Sequence, residues 1–216
     1  MTFRLDSSSF ASRYASVMPL IERFGLSEVR SRLLSSVSGN VLEVGAGTGL
    51  NYRHYPEGIH LVMTEPDPAM FEILERNVAQ GSVELMNSQI SDLYSSDLEP
   101  HSFDYVVSTL VLCSVDDVAQ SLQTISLFLK PGSKYIFMEH GLASGFYGIT
   151  QRLATPIWRK VAGGCHLDRN LPGYFDSSPL VVTDLDYFRF PLGRPLIPFG
   201  FSGIARLKSD FMGSLE

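Results

Sequence analysis

Ten residues, Val41 to Leu50 (VLEVGAGTGL), constrain the fold of this chain more than any others. A short apolar run, Asn40-Val41-Leu42-Glu43-Val44, ends at three alternating glycines, Gly45, Gly47 and Gly49. Such a run reads as a buried parallel strand, because a strand covered on both faces loses the alternation of a half-exposed one. The glycines mark a tight turn at its carboxyl end. In an open α/β sheet that is where ligands bind. Glycine there lets the backbone turn sharply and approach a ligand with no side chain in the way.

Spacing narrows the ligand. A dinucleotide fingerprint, G-x-G-x-x-G, needs glycine at position 50, where this chain has Leu50, and no Lys follows the turn as in a phosphate loop. An acid, Glu65, stands twenty residues past Gly45 at the end of the next apolar run. A carboxylate there accepts hydrogen bonds from both ribose hydroxyls of a nucleoside. The competing reading is a solvated surface acid. Glu43 sits inside an apolar strand, where a charge is costly unless paired. It therefore contacts either the turn backbone, a ligand ammonium, or a buried salt-bridge partner.

The rest of the chain alternates in the same style. Strands are expected over His60 to Thr64, Val83 to Met86, Phe103 to Ser108 and Lys134 to Glu139. Helices are expected over Pro68 to Gln80, with Asp67 as N-cap, and Asp116 to Leu129, closed by Pro131-Gly132. Phe10 to Leu34 reads as helix with breaks near Pro19 and Gly25, and Gly141 to Asn170 as helix with loops. Strands alternating with helices imply a parallel sheet covered on both faces. Pro179 to Phe190 and Phe199 to Lys208 read as two strands whose short connection makes them antiparallel.

Composition excludes several classes. A chain of 216 residues fits one domain. With 17 basic and 23 acidic residues, a net charge of −6 and no basic run, a nucleic-acid partner is not expected. No stretch approaches the roughly 18 apolar residues of a membrane span, and the N-terminal MTFRLDSSSFASRY carries no signal-peptide pattern. The two cysteines, Cys113 and Cys165, stand too far apart in sequence to read as a disulfide framework or a metal site. They are expected to be inert packing residues, with no metal bound, in a reducing, cytoplasmic compartment.

These segments resemble a known family. VLEVGAGTG, TEPDPAM, Ser88-Gln89-Ile90-Ser91-Asp92-Leu93, FDYVVSTLVLCSV and LKPGSKYIFMEH resemble the motifs of class I S-adenosylmethionine-dependent methyltransferases, across residues 38 to 140. STLVLCSVDD, FMEH, GGCHLDRN and PLGRPLIPFGFSGIARLK resemble the small-molecule (alkyl) thiol S-methyltransferases and extend the likeness over nearly the whole chain. Two features depart from that family. Its animal members carry an N-terminal membrane-anchoring segment that this sequence lacks, so no integral membrane segment is expected. The adenine position often holds an acid, and here it is Gln89, whose amide still bonds to an exocyclic amine.

The resemblance implies an α/β, Rossmann-like seven-stranded sheet, mostly parallel, with an antiparallel C-terminal hairpin and helices on both faces. It implies one methyltransferase domain over 1–216: a helical cap (1–37), a cofactor-binding core (38–140), and an acceptor cap with the hairpin (141–216). The cofactor would be S-adenosyl-L-methionine. Its contacts would be Glu43, Gly45, Ala46, Gly47, Thr48, Gly49, Glu65, Pro66, Met70, Gln89, Ile90 and Leu110, with Tyr14 closing over the methionine end from the N-terminal helix.

His140, at the end of the fifth strand, is the candidate general base, since histidine titrates near working pH. The alternative is a structural histidine. His166 with Asp168, together with Trp158 and Phe146, are candidates for the acceptor site, and Tyr147 and Phe175 extend an apolar lining suited to a small lipophilic substrate. The expected activity is methyl transfer to a small molecule, in first place a thiol. An O- or N-methyltransferase, or an inactive cofactor-binding subunit, are the competing readings.

Overall fold

The computed structural model describes residues 7–79, 85–89, 98–191 and 196–212, with the backbone alone described over 85–89. The N-terminal segment forms α1 (Ser7–Ile21) and α2 (Ser27–Leu34), joined by a wider turn over Glu22–Leu26. The break falls at Gly25, whose φ of +130° no L side chain adopts readily. Pro19 lies inside α1 without ending it.

The expected alternation follows. Strands β1 (Asn40–Val44) and β2 (His60–Thr64) keep their expected limits. Helix α3 (Pro68–Val78) leads to β3 (Leu85–Gln89); the expected start of that strand, Val83, falls outside the described residues. Then come β4 (Phe103–Thr109), α4 (Val118–Phe128) and β5 (Leu129–His140). The last third holds α5 (Gly145–Val161), α6 (Leu171–Asp176), β6 (Leu180–Arg189), β7 (Phe199–Leu207) and the short α7 (Ser209–Met212).

Strand β5 differs from expectation. It begins directly out of α4 and carries Pro131-Gly132 within it. The pairing with β4 slips there, from Phe103↔Leu129 to Tyr105↔Lys134. A register shift of this kind leaves a residue out of the ladder, so a proline that lacks an N–H is tolerated.

The strands run in the order β3-β2-β1-β4-β5-β7-β6. Neighbours from β3 to β5 are parallel, and β7 pairs antiparallel with both β5 and β6. The chain leaves β1 toward β2 and β3, then returns to build β4 and β5 on the other side. The gap between β1 and β4 is therefore the switch point where ligands settle in such sheets.

Successive strand residues enter opposite cores. Leu42, Val62, Val106, Tyr135 and Phe137 pack with α4 and α6, while Val41, Leu61, Met63, Val107 and Ile136 pack with α2 and α3. Burial on both faces is why these strands read as unbroken apolar runs. Phe175, a sequence candidate for the acceptor lining, belongs to the first core and lies 4.8 Å from the Phe137 ring. Among the described residues no helix is long and apolar enough to cross a membrane.

Candidate active site

The glycine turn closes β1 at the switch point. Gly45 has φ +62°, and a Cβ on it would stand 2.8 Å from Cγ2 of Val111. A Cβ on Gly47 (φ +60°) would meet nothing within 4 Å. The turn therefore packs tightly on one side and opens on the other. The Gly47 amide donates to Oε2 of Glu65 at 2.8 Å, and the Asp67 amide donates to Oε1 at 2.9 Å. A carboxylate offers about four lone-pair sites, so Glu65 keeps two for a diol. Burial raises its carboxyl above the usual range, and the two amide hydrogen bonds oppose that rise.

Asp67 caps α3 as expected, accepting from the amides of Ala69 and Met70 at 2.9 and 3.1 Å. The cap sets Met70 inward, buried in the first turn, while Pro66 stays exposed. Thr48 is buried, and its carbonyl accepts from the Asn77 side chain at 2.7 Å. Ala46 anchors to β2 through its amide and the Thr64 carbonyl, 2.9 Å apart. These contacts hold the glycine turn beside the buried Glu65 carboxylate. Of the expected adenine contacts, the Gln89 side chain and Ile90 lie outside the described residues.

Glu43 resolves differently from the turn-backbone contact weighed above. Its oxygens accept from Asn51 Nδ2 and the Tyr55 hydroxyl, both at 2.9 Å. Behind them lies Arg30, itself 2 % exposed. Arg30 donates to Glu22 at 3.0 Å and to Asn51 and Thr109 at 2.6 Å each. Burial pushes the Glu43 carboxyl up to about 7, against the pull of Tyr55, Asn51 and Arg30. This buried network under the turn was not legible: nothing in the spacing of Glu22, Arg30, Asn51 and Thr109 joins them.

A second turn faces the first. Leu110 has φ +60°, and its amide donates to the Met138 carbonyl at 2.7 Å. The next two amides, of Val111 and Leu112, both donate to Oε1 of Glu139, at 2.8 and 2.7 Å. Glu139 is fully buried, and burial carries its carboxyl up to about 7. Sequence reasoning passed over Glu139, although it carries the signal that singled out Glu43, an acid inside an apolar strand. Arg169 ties down the far side of the turn through the carbonyls of Leu112 and Val115. Tyr14, from α1, lies within electrostatic reach of Arg30, Glu22, Cys113 and Glu65, and burial raises its phenol to about 12.

Beyond this turn the structure corrects the reading of the cysteines as separate packing residues. Cys113, His140 and Cys165 converge, with the sulfurs and the nearest imidazole nitrogen all within 4.8 Å of one another. His140 Nε2 lies 3.1 Å from Cys165 Sγ, so this ring nitrogen is engaged rather than free. Its Nδ1 is buried with no hydrogen-bond partner, as is Oε2 of Glu139. Cys165 is the more acidic of the two thiols. A hydrogen bond from Cys113 and then His140 lower it against the cost of burial. Burial pulls His140 down, but the Cys165 contact and the Glu139 charge together outweigh it and raise it.

The acceptor candidates divide. The His166 amide donates to the Cys113 carbonyl at 2.7 Å, which seats His166 beside the cluster. Its Nδ1 is 3.8 Å from Asp168, too far for a hydrogen bond. Trp158, half-buried on α5, influences the Cys165 thiol. Phe146, by contrast, is 73 % exposed and takes no part in the buried cluster. The buried residues of α5 are Gly148, Gln151 and Thr155, and helical periodicity puts Phe146 on the opposite side from them.

Comparison with known proteins agrees with this geometry. The family described as "Methyltransferase domain" matches residues 42–137. Human thiol S-methyltransferase TMT1B is 34% identical over 77% of this chain and 70% of its own length. The rat TMT1B is 32% identical over 66% of this chain. The chain spans 60% of the rat protein's length. Among solved structures, an S-adenosylmethionine-dependent methyltransferase from Thermotoga maritima superposes with a TM-score of 0.68 over 93% of this chain and 98% of its own, at 19% identity. A methyltransferase complex with the activator Trm112 from Haloferax volcanii gives 0.71 over 94% and 97%, at 13% identity. Both share its mixed, Rossmann-like sheet. The likeness to human TMT1B, with the matched methyltransferase domain, places the chain among the S-adenosylmethionine-dependent methyltransferases, in the family of the thiol S-methyltransferases.

Proposed function

We propose that this methyltransferase acts on a small lipophilic thiol. The observation that carries this reading is the 34% identity to human thiol S-methyltransferase TMT1B over 77% of the chain. S-adenosylmethionine supplies a methyl group already activated by its sulfonium. The chain must hold the two reactants in line and keep water out, and positioning of that kind is worth roughly 7–11 kcal/mol. A thiol with pKa near ~8.5 is partly ionised at neutral pH, and the thiolate is the reactive form. Such an acceptor therefore asks little of a general base.

In this reading the turn from Gly45 to Gly49, with Ala46 and Thr48, cradles the nucleoside. Glu65 takes the ribose hydroxyls, and Met70, Pro66, Gln89 and Ile90 surround the adenine. Leu110 and Tyr14 border the methionine end, where Glu43 supports the turn from beneath through Asn51. His140, with its Nε2 on Cys165, acts on the acceptor side, and His166 and Trp158 border the same space. Residues 1–37 cap the site, 38–140 hold the cofactor and 141–216 close over the acceptor.

The test is a methyl-transfer assay of the purified chain against an alkyl thiol, a phenol and an amine. Turnover of the thiol alone is expected. Ready methylation of the phenol or amine with no reaction on thiols would overturn the acceptor and leave the methyltransferase standing.

A further inference from the structure

We propose that Cys113, His140 and Cys165 form a binding site for a soft divalent cation of the zinc class, with three ligands from the chain and a fourth position open. Two thiols and an imidazole are the donors that select zinc-like ions over magnesium or calcium. Their ligand atoms lie within 4.8 Å of one another, and the imidazole–thiol pair is at 3.1 Å. Tetrahedral bonds of about 2.0–2.3 Å set ligand atoms about 3.5–3.8 Å apart. The cluster reaches that geometry by shifts of about an ångström or less.

Each ligand is held by its own element. Cys113 follows the turn whose amides, of Val111 and Leu112, are bound to Glu139. His140 ends β5, in register with Gly200 of β7. Cys165 lies in the loop after α5, with its amide on the Ala162 carbonyl, and its neighbour His166 donates to the Cys113 carbonyl. The three side chains are brought together by strand pairing and turn hydrogen bonds, so an ion needs only small side-chain shifts to be held. His140 Nδ1 and Glu139 Oε2, both buried and without a partner, make its surroundings polar.

Three protein ligands, two Cys and one His, are the pattern of a cation that keeps a position for an exogenous ligand, whereas structural zinc takes four. The site adjoins the glycine turn, because Val111, two residues before Cys113, fills the space a Cβ on Gly45 would need. Resting on the thiol reading above, the open position suits the acceptor sulfur, which binds as thiolate and gives up its proton to solvent. The cation keeps its oxidation state throughout.

The test uses the full chain, stripped with a chelator, kept reduced, and titrated with cobalt(II). One equivalent should bind with tetrahedral visible bands and a thiolate-to-cobalt charge-transfer band. Cys165→Ser and Cys113→Ser should each weaken binding by at least the roughly 10–100-fold that loss of an outer-shell partner costs. Both variants should still bind S-adenosylmethionine, which shows that they fold. An alkyl thiol should shift the charge-transfer band. Absence of that band in the wild type, undiminished cobalt affinity and band intensity in both serine variants, or a Cys113–Cys165 disulfide formed in place of cobalt binding would each overturn the site. A band that an alkyl thiol leaves unmoved would overturn the open position. Phenol-specific methylation beside an intact cobalt signature would defeat the thiol reading and leave the cation site in place.

Discussion

The two halves of the candidate active site lie side by side at the carboxyl edge of the sheet, and they are built by different means. The cofactor half draws on residues 43 to 70 and works largely through backbone: turn amides, a capped helix start, and one carboxylate that joins them. The proposed acceptor half draws on Cys113, His140 and Cys165, which share no local motif and meet through their side chains. In the cofactor half, the oxygens of Glu43 and Glu65 all have hydrogen-bond partners. In the acceptor half, His140 Nδ1 and Glu139 Oε2 have none.

The largest expected effect tests how far the cofactor half depends on ions buried beneath it. Arg30→Leu removes the cation that faces Glu22 and leaves an uncompensated buried acid. Breaking a buried pair in this way costs about 3–5 kcal/mol, to be read from chemical denaturation. A loss well under 1 kcal/mol would show that the turn stands without the network.

Glu65→Ala sharpens the contrast next. It should weaken S-adenosylmethionine binding by about 1.5–3 kcal/mol, the range for hydrogen bonds to a charged group. Titration calorimetry reads this directly, and cobalt(II) binding at the cysteines should stay at its wild-type level. Unchanged cofactor affinity would remove Glu65 from the diol site.

A pH titration reads the Glu43 carboxyl beneath the turn. The Glu43 carboxyl is raised to about 7 in the fold, above its ordinary 4.5, with Tyr55, Arg30 and Glu65 as its titratable and charged neighbours. Between those values the folded chain holds the extra proton, so the cost of burying the charge is felt above pH 7 and relieved below it. The stability of the wild type minus that of Glu43→Gln should therefore be greatest below pH 4.5, fall as pH rises to about 7, and level off above it. The opposite slope would mean that Arg30 stabilises the charged form.

The smallest effect is expected at Phe146→Ser. The ring is mostly exposed on α5, and surface changes of this kind stay within about 0.5 kcal/mol. The KM for the acceptor should not move. A severalfold rise would return Phe146 to the acceptor site.

Much of the cofactor half was legible because its information is local. The strand limits of β1 and β2, the positive-φ glycines and the Asp67 cap all follow from the character of adjacent residues. Period and capping are short-range physics, and they survive whatever the rest of the chain does. Pro131 shows the limit of that reasoning: a proline that reads as an end lies within β5, because a slip in register with β4 removes the need for its N–H.

By itself the sequence determined the alternation of strands and helices, the glycine turn and the acid placed after it, and its resemblance to a known family implied the cofactor. Tertiary structure alone decided which side chains meet. It gave Glu43 the partners Asn51 and Tyr55, put Arg30 beneath them, turned Phe146 outward and drew Cys113, His140 and Cys165 together. The physical reason is that burial and turn geometry are written in neighbouring residues. A contact between side chains fifty positions apart depends instead on strand order and register, which only the packed sheet sets.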